Sequence, residues 1–312
     1  MDFNSLKYIT KTLILIFIIS ILSDRIFFSV FNKISDKVLT GQTIGKLNHY
    51  IQNKETLDLI VFGSSRANHH VNPINILKNS FNMGMDGRKI AYSATLIKLL
   101  PRNKEQIILL HIDPEAAFSQ DYLGNDIKGL SSKYNRNDII KHEIDKLKQN
   151  NLLQNLYWSI SYNQSVLGIL KNYFMPNYDF TNYFGYDPIY VSENQKKIFS
   201  KILQRDKKIS NCQDRFILNK IYNDYIDELI DFCNKSNKFL IFFTSPKFDD
   251  KCKNDNHELR KIFKKKNLNY YDYTNLFKEN NNLDYWKDET HLSNKGAQLF
   301  TKKFAKMLKL NQ

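Results

Sequence analysis

The apolar run DLIVF (residues 58–62) is followed at once by GSSR (63–66). A short apolar, β-branched run that ends in glycine and small polar residues is typical of a buried parallel strand leading through a tight turn into a helix. Such a turn lies at the carboxyl end of the strand, where α/β sheets bind ligands. It also lies at a helix N-terminus, whose backbone amides can stabilise an oxyanion. The two serines can equally be helix caps without any chemical role.

Other segments predict the rest of a sheet. The run IILLHI (107–112) and the run KFLIFFT (238–244) are typical of buried strands, and LNYYDY (268–273) is a candidate for the last strand. Segments with helical periodicity separate these runs, and an amphipathic helix is predicted over Lys295–Leu308. This alternation predicts an α/β fold in three layers, with a parallel sheet between two layers of helices.

The pattern also divides the chain. It predicts a membrane anchor over 1–31, a polar connecting segment over 32–57 and an α/β domain over 58–312. Within that domain the pattern changes between 118 and 217 into a helical, aromatic-rich insertion, which contains Tyr157, Trp158 and Tyr162. These aromatics can form a cap that stacks on sugar rings at the active site, or they can pack the insertion onto the core.

The anchor is predicted from the apolar run TLILIFIISIL (12–22), preceded by Lys7 and Lys11. Extended toward the N-terminus, the run approaches the shortest length that spans a bilayer. Asp24-Arg25 then interrupts it, and a second apolar run follows at Ile26–Phe31. No small-x-small cleavage site or lipobox cysteine follows, so an uncleaved anchor fits better than a signal peptide. A buried core helix is the alternative. We expect a cytoplasmic N-terminus with the bulk of the chain outside, although basic residues flank the run on both sides.

Composition narrows the class of protein. The 312 residues carry 46 Lys and Arg against 32 Asp and Glu, a net charge of +14, and 42% of them are hydrophobic. That apolar content, with only 10 Gly and 6 Pro, excludes wholesale disorder and collagen. The basic residues are spread along the whole chain, which is typical of a solvated surface and indicates no specific nucleic-acid partner. Three widely spaced cysteines exclude a zinc-finger array and a disulfide-scaffolded mini-protein, but they allow one bridge.

A motif near the C-terminus supports a chemical role for the two serines of the GSSR turn. Asp288 precedes His291 by three residues, close enough for a turn to place the carboxylate on one nitrogen of the imidazole. The other nitrogen is then free to accept the proton of a serine hydroxyl. A lone D-x-x-H is also compatible with a helix cap beside a surface histidine. Its combination with an early serine in an α/β pattern predicts a serine nucleophile activated by histidine.

Three short motifs together resemble those of the SGNH/GDSL hydrolase superfamily, particularly its membrane-anchored branches with G-S-S in place of G-D-S. GSS (63–65) resembles the first block of that family, FNMGMDG (81–87) the second and DETH (288–291) the last. The motifs occur in the family's order and extend over nearly all of the chain beyond the anchor. The resemblance implies a three-layer, flavodoxin-like α/β/α domain of SGNH type.

The resemblance also implies roles for individual residues. Ser65 falls on the nucleophile, and Ser64 falls on the usual Asp. Asp288 and His291 fall on the triad acid and base. The backbone amides of Gly87 and Ser65 fall on the oxyanion hole.

At the third block this chain departs from the family's pattern. That block normally offers an Asn side chain to the oxyanion after the third strand, but IILLHIDP (107–114) contains none. Asp113 falls nearby, and an ionised carboxylate cannot donate a hydrogen bond. Losing one such donor typically costs about a hundred- to thousand-fold in rate. Either the amides of Ser65 and Gly87 suffice, another side chain substitutes, or the activity is weak or lost.

Three polar residues near these motifs are the candidates for substrate binding: Arg66, Asn82 and Asp113. Arg66 lies beside the nucleophile and could hold an anionic group of the substrate. An ion pair of Arg66 with Asp86 or Asp113 is the alternative.

Several histidines near the motifs are candidate metal ligands. His69, His70 and His111, together with Asp113, are ligand types that suit several divalent ions. No HExxH-type spacing supports such a site, so neither a metal nor another cofactor is predicted.

The resemblance implies a membrane-anchored serine esterase or O-acyltransferase that acts on acyl groups of a cell-envelope glycan through an acyl-enzyme. Similar branches serve envelope-glycan acetylation or teichoic acid D-alanylation. The implied partners are therefore an acylated glycan or other envelope polymer, the membrane, and a membrane O-acyltransferase. The alternative is a catalytically degenerate protein that keeps the fold and serves as a non-enzymatic partner in envelope polymer assembly.

Overall fold

The DLIVF run forms a central strand of a parallel sheet in the computed structural model, which describes residues 3–163, 165–205, 212, 215–280 and 282–308. The strands of this sheet are β1 (Leu59–Phe62), β2 (Ser80–Asn82), β3 (Gln106–His111), β4 (Lys238–Thr244) and β5 (Tyr270–Asp272). All neighbouring strands are parallel, in the order β2-β1-β3-β4-β5. This is the strand order of flavodoxin-like doubly wound sheets. The predicted α/β class is confirmed.

Helices precede, follow and connect these strands. The α-helices are α1 (Phe3–Ser35), α2 (Lys46–Asn53), α3 (Ser65–His70), α4 (Ile90–Ile97), α5 (Pro114–Phe118), α6 (Asp138–Lys146), α7 (Leu152–Leu156), α8 (Val166–Phe174), α9 (Glu193–Arg205), α10 (Lys220–Asn234), α11 (Lys253–Lys265) and α12 (Asn294–Leu308). Segments of 3₁₀ helix lie at Pro73–Asn75, Asn125–Arg136, Trp158–Tyr162, Phe180–Asn182 and Leu283–Tyr285, and one turn of π helix lies at Gly41–Gly45.

The sheet separates two hydrophobic cores. Successive side chains of a strand point to opposite faces, so Ile60 and Phe62 enter one core while Leu59 and Val61 enter the other. The first core contains residues of α1, α2, α4 and α10, and the second contains residues of α3 and α12. All four residues of β1 are fully buried, which explains why this strand reads as a continuous apolar run.

The anchor helix is longer than the sequence suggested. Helix α1 continues from Phe3 to Ser35 without a break at Asp24-Arg25, and so extends four residues beyond the predicted anchor, 1–31. It is the one helix of the described chain that is long and apolar enough to cross a membrane. At about 1.5 Å per residue it exceeds the roughly 30 Å of a bilayer core, and its last turns, with Phe28 and Phe31, are buried in the domain.

The segment 32–57 is not the polar connection that was predicted. Val38, Leu47 and Tyr50 are buried in the first core. Lys46 is also fully buried, and its Nζ donates to Asn68 Oδ1 at 2.5 Å and to the Gly84 carbonyl at 2.6 Å. Burial is possible because the ammonium replaces its water shell with these acceptors. The segment is therefore a structural part of the domain.

The insertion over 118–217 is helical, as predicted, but its residues 164, 206–211, 213 and 214 lie outside the described part. Two of its aromatics pack on the anchor: the Trp158 ring lies 5.4 Å from Phe28, and the Tyr162 ring lies 4.9 Å from Phe31. For these two rings the structure shows the second of the two predicted arrangements, packing of the insertion onto the rest of the chain. The allowed bridge joins Cys212 of the insertion to Cys252.

Candidate active site

Ser65 is presented by the turn that follows β1. Gly63 has φ +141°, and a Cβ at this position would lie 2.6 Å from the Cβ of His111, so the tight turn requires glycine. Ser64 is the N-cap of α3, and its Oγ accepts from the Arg66 amide at 3.4 Å. Ser65 is the first residue of α3 and remains partly exposed. The structure thus gives the two serines different positions, with Ser64 as the cap.

The three residues of the predicted triad meet. Ser65 Oγ lies 2.9 Å from His291 Nε2, within the 2.6–3.2 Å reach expected of a nucleophile and its base. His291 Nδ1 lies 3.0 Å from both carboxylate oxygens of Asp288. Since the carboxylate can only accept, Nδ1 carries the proton and Nε2 is free to take the serine proton. This contact geometry was predicted and is present; the catalytic roles stay a prediction.

A tight turn holds Asp288 in place. Its Oδ1 also accepts from the backbone amides of Thr290, at 2.9 Å, and of His291, at 2.8 Å. Burial raises the pKa of Asp288, but the hydrogen bonds from His291 and Thr290 outweigh burial and hold it well below its usual range. The aspartate is therefore ionised at neutral pH, as needed to fix the imidazole tautomer.

Two backbone amides are available beside Ser65. The Ser65 amide lies in the first turn of α3, where helix amides have no partner within the helix. Gly87 has φ +70° and open space around its α-carbon. Within the described residues, neither amide donates a hydrogen bond. Ser65, Gly87 and His291 all line one cavity of about 220 Å³, which lies at the carboxyl ends of β1 and β3.

The β3 end of that cavity supplies no amide side chain. Asp113 lines the cavity there. Burial raises its pKa, but Arg66 and Lys247 lower it to about 2, so the group is an anion at neutral pH. It therefore accepts hydrogen bonds and cannot donate one to an oxyanion.

Arg66 lines the same cavity as Ser65, but its guanidinium is engaged by other residues of the chain, and its role as a substrate-binding residue stays a prediction. It is 3% exposed, its Nη1 lies 3.3 Å from Asp113 Oδ2, and its Nη2 donates to the Ser245 carbonyl. The predicted alternative, an ion pair with Asp113, is the arrangement found.

Asn82 is likewise not available to a substrate. It is fully buried, and its Nδ2 donates to the carbonyls of Ala67 and Val71 at 2.8 and 2.7 Å. Its Oδ1 accepts from the Gly84 amide at 2.8 Å. The side chain ties the second motif to α3, so its prediction as a binding residue is corrected.

A buried polar network under the triad was missed from the sequence. His70 Nε2 accepts from the Leu292 amide at 2.9 Å, so its Nδ1 donates to Ser245 Oγ at 3.0 Å. Arg66 Nε also donates to Ser245 Oγ, at 3.2 Å, which leaves the serine proton for His111 Nε2 at 3.3 Å. Burial, with the nearby Arg66 charge, lowers the pKa of both histidines well below the usual value. Ser245 follows β4 directly, and that position was the available signal.

The histidines considered as metal ligands have other partners. His69 Nδ1 lies 2.6 Å from the Asp187 carbonyl, and its Nε2 lies 3.2 Å from Asp86 Oδ2. Among the residues that the structure describes, no group of three or more His, Cys, Asp or Glu side chains could hold a metal ion.

A larger cleft of about 870 Å³ shares Arg88 with the cavity that Ser65 and His291 line. Side-chain amides and hydroxyls of the insertion dominate its wall: Gln149, Asn150, Asn151, Gln154, Ser161 and Asn163. Ser132 also lines it, and the Ser132 hydroxyl is buried without a hydrogen-bond partner in the described part of the chain. Such neutral donors and acceptors suit a polyhydroxylated ligand.

Comparison with protein-family models and with curated proteins finds no match for the chain.

Proposed function

We propose that this protein is a membrane-anchored serine esterase or O-acyltransferase of SGNH type, which acts on acyl groups of a cell-envelope glycan. The observation that carries the proposal is the Ser65–His291–Asp288 chain of hydrogen bonds, whose Ser65 and His291 line a cavity with two unused amides. A serine is a weak nucleophile until a positioned base accepts its proton.

The reaction proceeds in two halves. His291 Nε2 takes the Ser65 proton as Oγ attacks the acyl carbonyl, and the Ser65 and Gly87 amides stabilise the oxyanion. Collapse breaks the ester bond, and His291 returns the proton to the departing alkoxide. Water or a sugar hydroxyl then gives its proton to His291 and attacks the acyl-enzyme, and protonated His291 restores the Ser65 hydroxyl.

The polar cleft supports a glycan as the acyl donor or acceptor. It adjoins the catalytic cavity at Arg88, and its amide and hydroxyl lining can bind sugar hydroxyls without requiring charge. The resemblance to envelope-modifying branches points the same way and makes a membrane O-acyltransferase the partner that supplies acyl groups.

An extracytoplasmic location of the domain follows as part of the proposal. Helix α1 provides the single anchor, with Lys7 and Lys11 on the cytoplasmic side. A bridge between Cys212 and Cys252 supports this orientation, because disulfides persist in oxidising compartments.

One observation favours the second candidate, a non-enzymatic partner in polymer assembly. Asp113 is an anion at the place where the resembled family offers an Asn, and among the described residues no Asn or Gln lines the cavity to donate to an oxyanion.

Acyl release from an acetylated oligosaccharide tests the proposed activity. The purified full chain in detergent micelles is incubated with the oligosaccharide, with and without an unacetylated acceptor. The products are identified by mass spectrometry. Free acetate indicates hydrolysis, and acetylated acceptor indicates transfer. Equal product from the wild type and Ser65→Ala would reject Ser65 as the nucleophile.

A further inference from the structure

A short helix of the insertion exposes an apolar face. In α7, Leu152, Leu153 and Leu156 are 86%, 57% and 37% exposed. They occupy positions i, i+1 and i+4 and so lie on one side of the helix, while Gln154, between them, is buried and lines the polar cleft. Three neighbouring exposed leucines are unusual on a surface that faces water only.

This face lies beside the membrane-spanning part of α1. The Tyr157 hydroxyl, directly after α7, is 2.9 Å from Ser20 Oγ. Arg25 Nη2 donates to the Leu156 carbonyl at 3.1 Å. Ser20 belongs to the apolar run 12–22, whose side chains from Leu13 to Ile19 are exposed along the helix. Helix α7 is therefore level with the last turns of the apolar run.

Asp24 fixes this arrangement. Its carboxylate accepts from the amides of Trp158, at 2.8 Å, and of Ser159, at 3.1 Å. The guanidinium of Arg25 lies 3.9 Å from the centre of the Trp158 ring. The two charged residues that interrupt the apolar run thus dock the insertion on α1.

We propose that the leucine face of α7 is a second membrane contact, inserted into the lipid interface next to α1. The occupant is the bilayer because the face continues the exposed apolar surface of the spanning helix at the same level. Tyr157 and Trp158 also lie at this boundary, where such aromatics are enriched in membrane proteins. The contact prevents the domain from rotating freely about its anchor and holds the rim of the polar cleft, which includes Leu152, against the bilayer surface. It does not depend on the proposed activity.

Depth-dependent fluorescence quenching tests the proposal. Leu152→Cys and Leu153→Cys are made separately in the full chain, labelled with bimane and reconstituted in phosphatidylcholine–phosphatidylglycerol vesicles. Leu299→Cys is the matched control, because Leu299 is a 38% exposed leucine of α12, on the opposite face of the sheet from α1. The native Cys233 is buried and its pKa is raised to about 12, so it is unreactive, and the labelled wild type measures background.

We expect nitroxide lipids labelled near the headgroup to quench the labels at 152 and 153 at least about twofold more than the label at 299, because an interfacial helix lies within the headgroup region. Aqueous iodide should show the reverse order. Labels at 152 and 153 that are quenched by iodide as strongly as the label at 299 would overturn the proposal. Labels shielded from both quenchers would overturn it too, because a protein partner or a second copy would then cover α7. Testing the two positions separately guards against one variant that fails to fold.

Discussion

Ser65 Oγ and His291 Nε2 lie 2.9 Å apart although 226 positions separate the two residues along the chain. Ser65 begins the helix after β1, and His291 precedes the C-terminal helix α12, which packs on α3 in the second core. The contact therefore depends on the whole domain, and an isolated half of the chain cannot form it.

Removing either partner of this contact should abolish turnover with little effect on folding. We expect Ser65→Ala and His291→Ala to lower the rate of ester hydrolysis by at least about a thousand-fold, because the serine and its base act as one unit. Ser64→Ala is the matched control. It loses the cap of α3, which costs about 0.5–2 kcal/mol of stability, but should keep turnover. A Ser64→Ala enzyme as inactive as Ser65→Ala would contradict the assignment.

Asp288→Asn should leave measurable activity. Its Oδ1 can still accept from the Thr290 and His291 amides, so the turn survives. The amide cannot stabilise the imidazolium as a carboxylate does, and we expect the rate to fall by about a hundred- to ten-thousand-fold. Steady-state kinetics, with thermal unfolding as the folding control, measure this. An unchanged rate would show that Asp288 does not orient His291.

Two arginines near the cavity should respond differently to substitution. Arg66→Leu removes the buried partner of Asp113 and Ser245, and we expect it to destabilise the protein by about 3–5 kcal/mol. Arg88→Gln should leave the unfolding temperature nearly unchanged and raise KM for a glycan substrate, because Arg88 lines both cavities. A stable Arg66→Leu protein with a raised KM would support Arg66 as a binding residue.

Much of this arrangement can be predicted from local sequence. A strand that is buried on both faces has a continuous apolar sequence, and the turn after β1 requires a glycine. DLIVF followed by GSS therefore indicates a buried strand and the tight turn after it. The Asp288 turn is also local, because its partners lie within three residues. These local motifs also carry the resemblance to the SGNH/GDSL superfamily, and that resemblance implied the pairing of Ser65, His291 and Asp288 that the structure places in contact.

The remaining features depend on contacts between distant segments. Nothing near Lys46 in the sequence indicates that its ammonium bonds to Asn68 and Gly84. Arg66 seemed a binding residue because it is next to Ser65, but its partner Ser245 lies 179 positions away. Asp24 interrupts an apolar run in the sequence, and besides its neighbour Arg25 its partners are Trp158 and Ser159 of the insertion. Local patterns cannot supply these partners.

The buried Lys46 should give a stability change at alkaline pH. Burial lowers its pKa from 10.5 to about 8 in the folded protein, despite the nearby Asp187 and Asp86. Above pH 8 folded Lys46 has lost its proton while the unfolded chain still binds one, so stability rises with pH until the unfolded pKa is reached. Relative to Lys46→Met, the wild type should gain about 2 kcal/mol between about pH 8 and about pH 9.5. Chemical unfolding in micelles measures the difference; a constant difference would show that Lys46 does not titrate there.

Covalent labelling of the folded full chain with a fluorophosphonate probe tests whether Ser65 is an activated nucleophile, and peptide mass spectrometry locates the modified residue. Only a serine activated by a base and served by an oxyanion hole reacts readily with such a probe. We expect the label on Ser65 in the wild type and in Ser64→Ala, and no label in Ser65→Ala or His291→Ala. Absence of label on wild-type protein with a normal unfolding transition, or a label on another residue, would contradict the account; the first outcome would favour the non-enzymatic alternative.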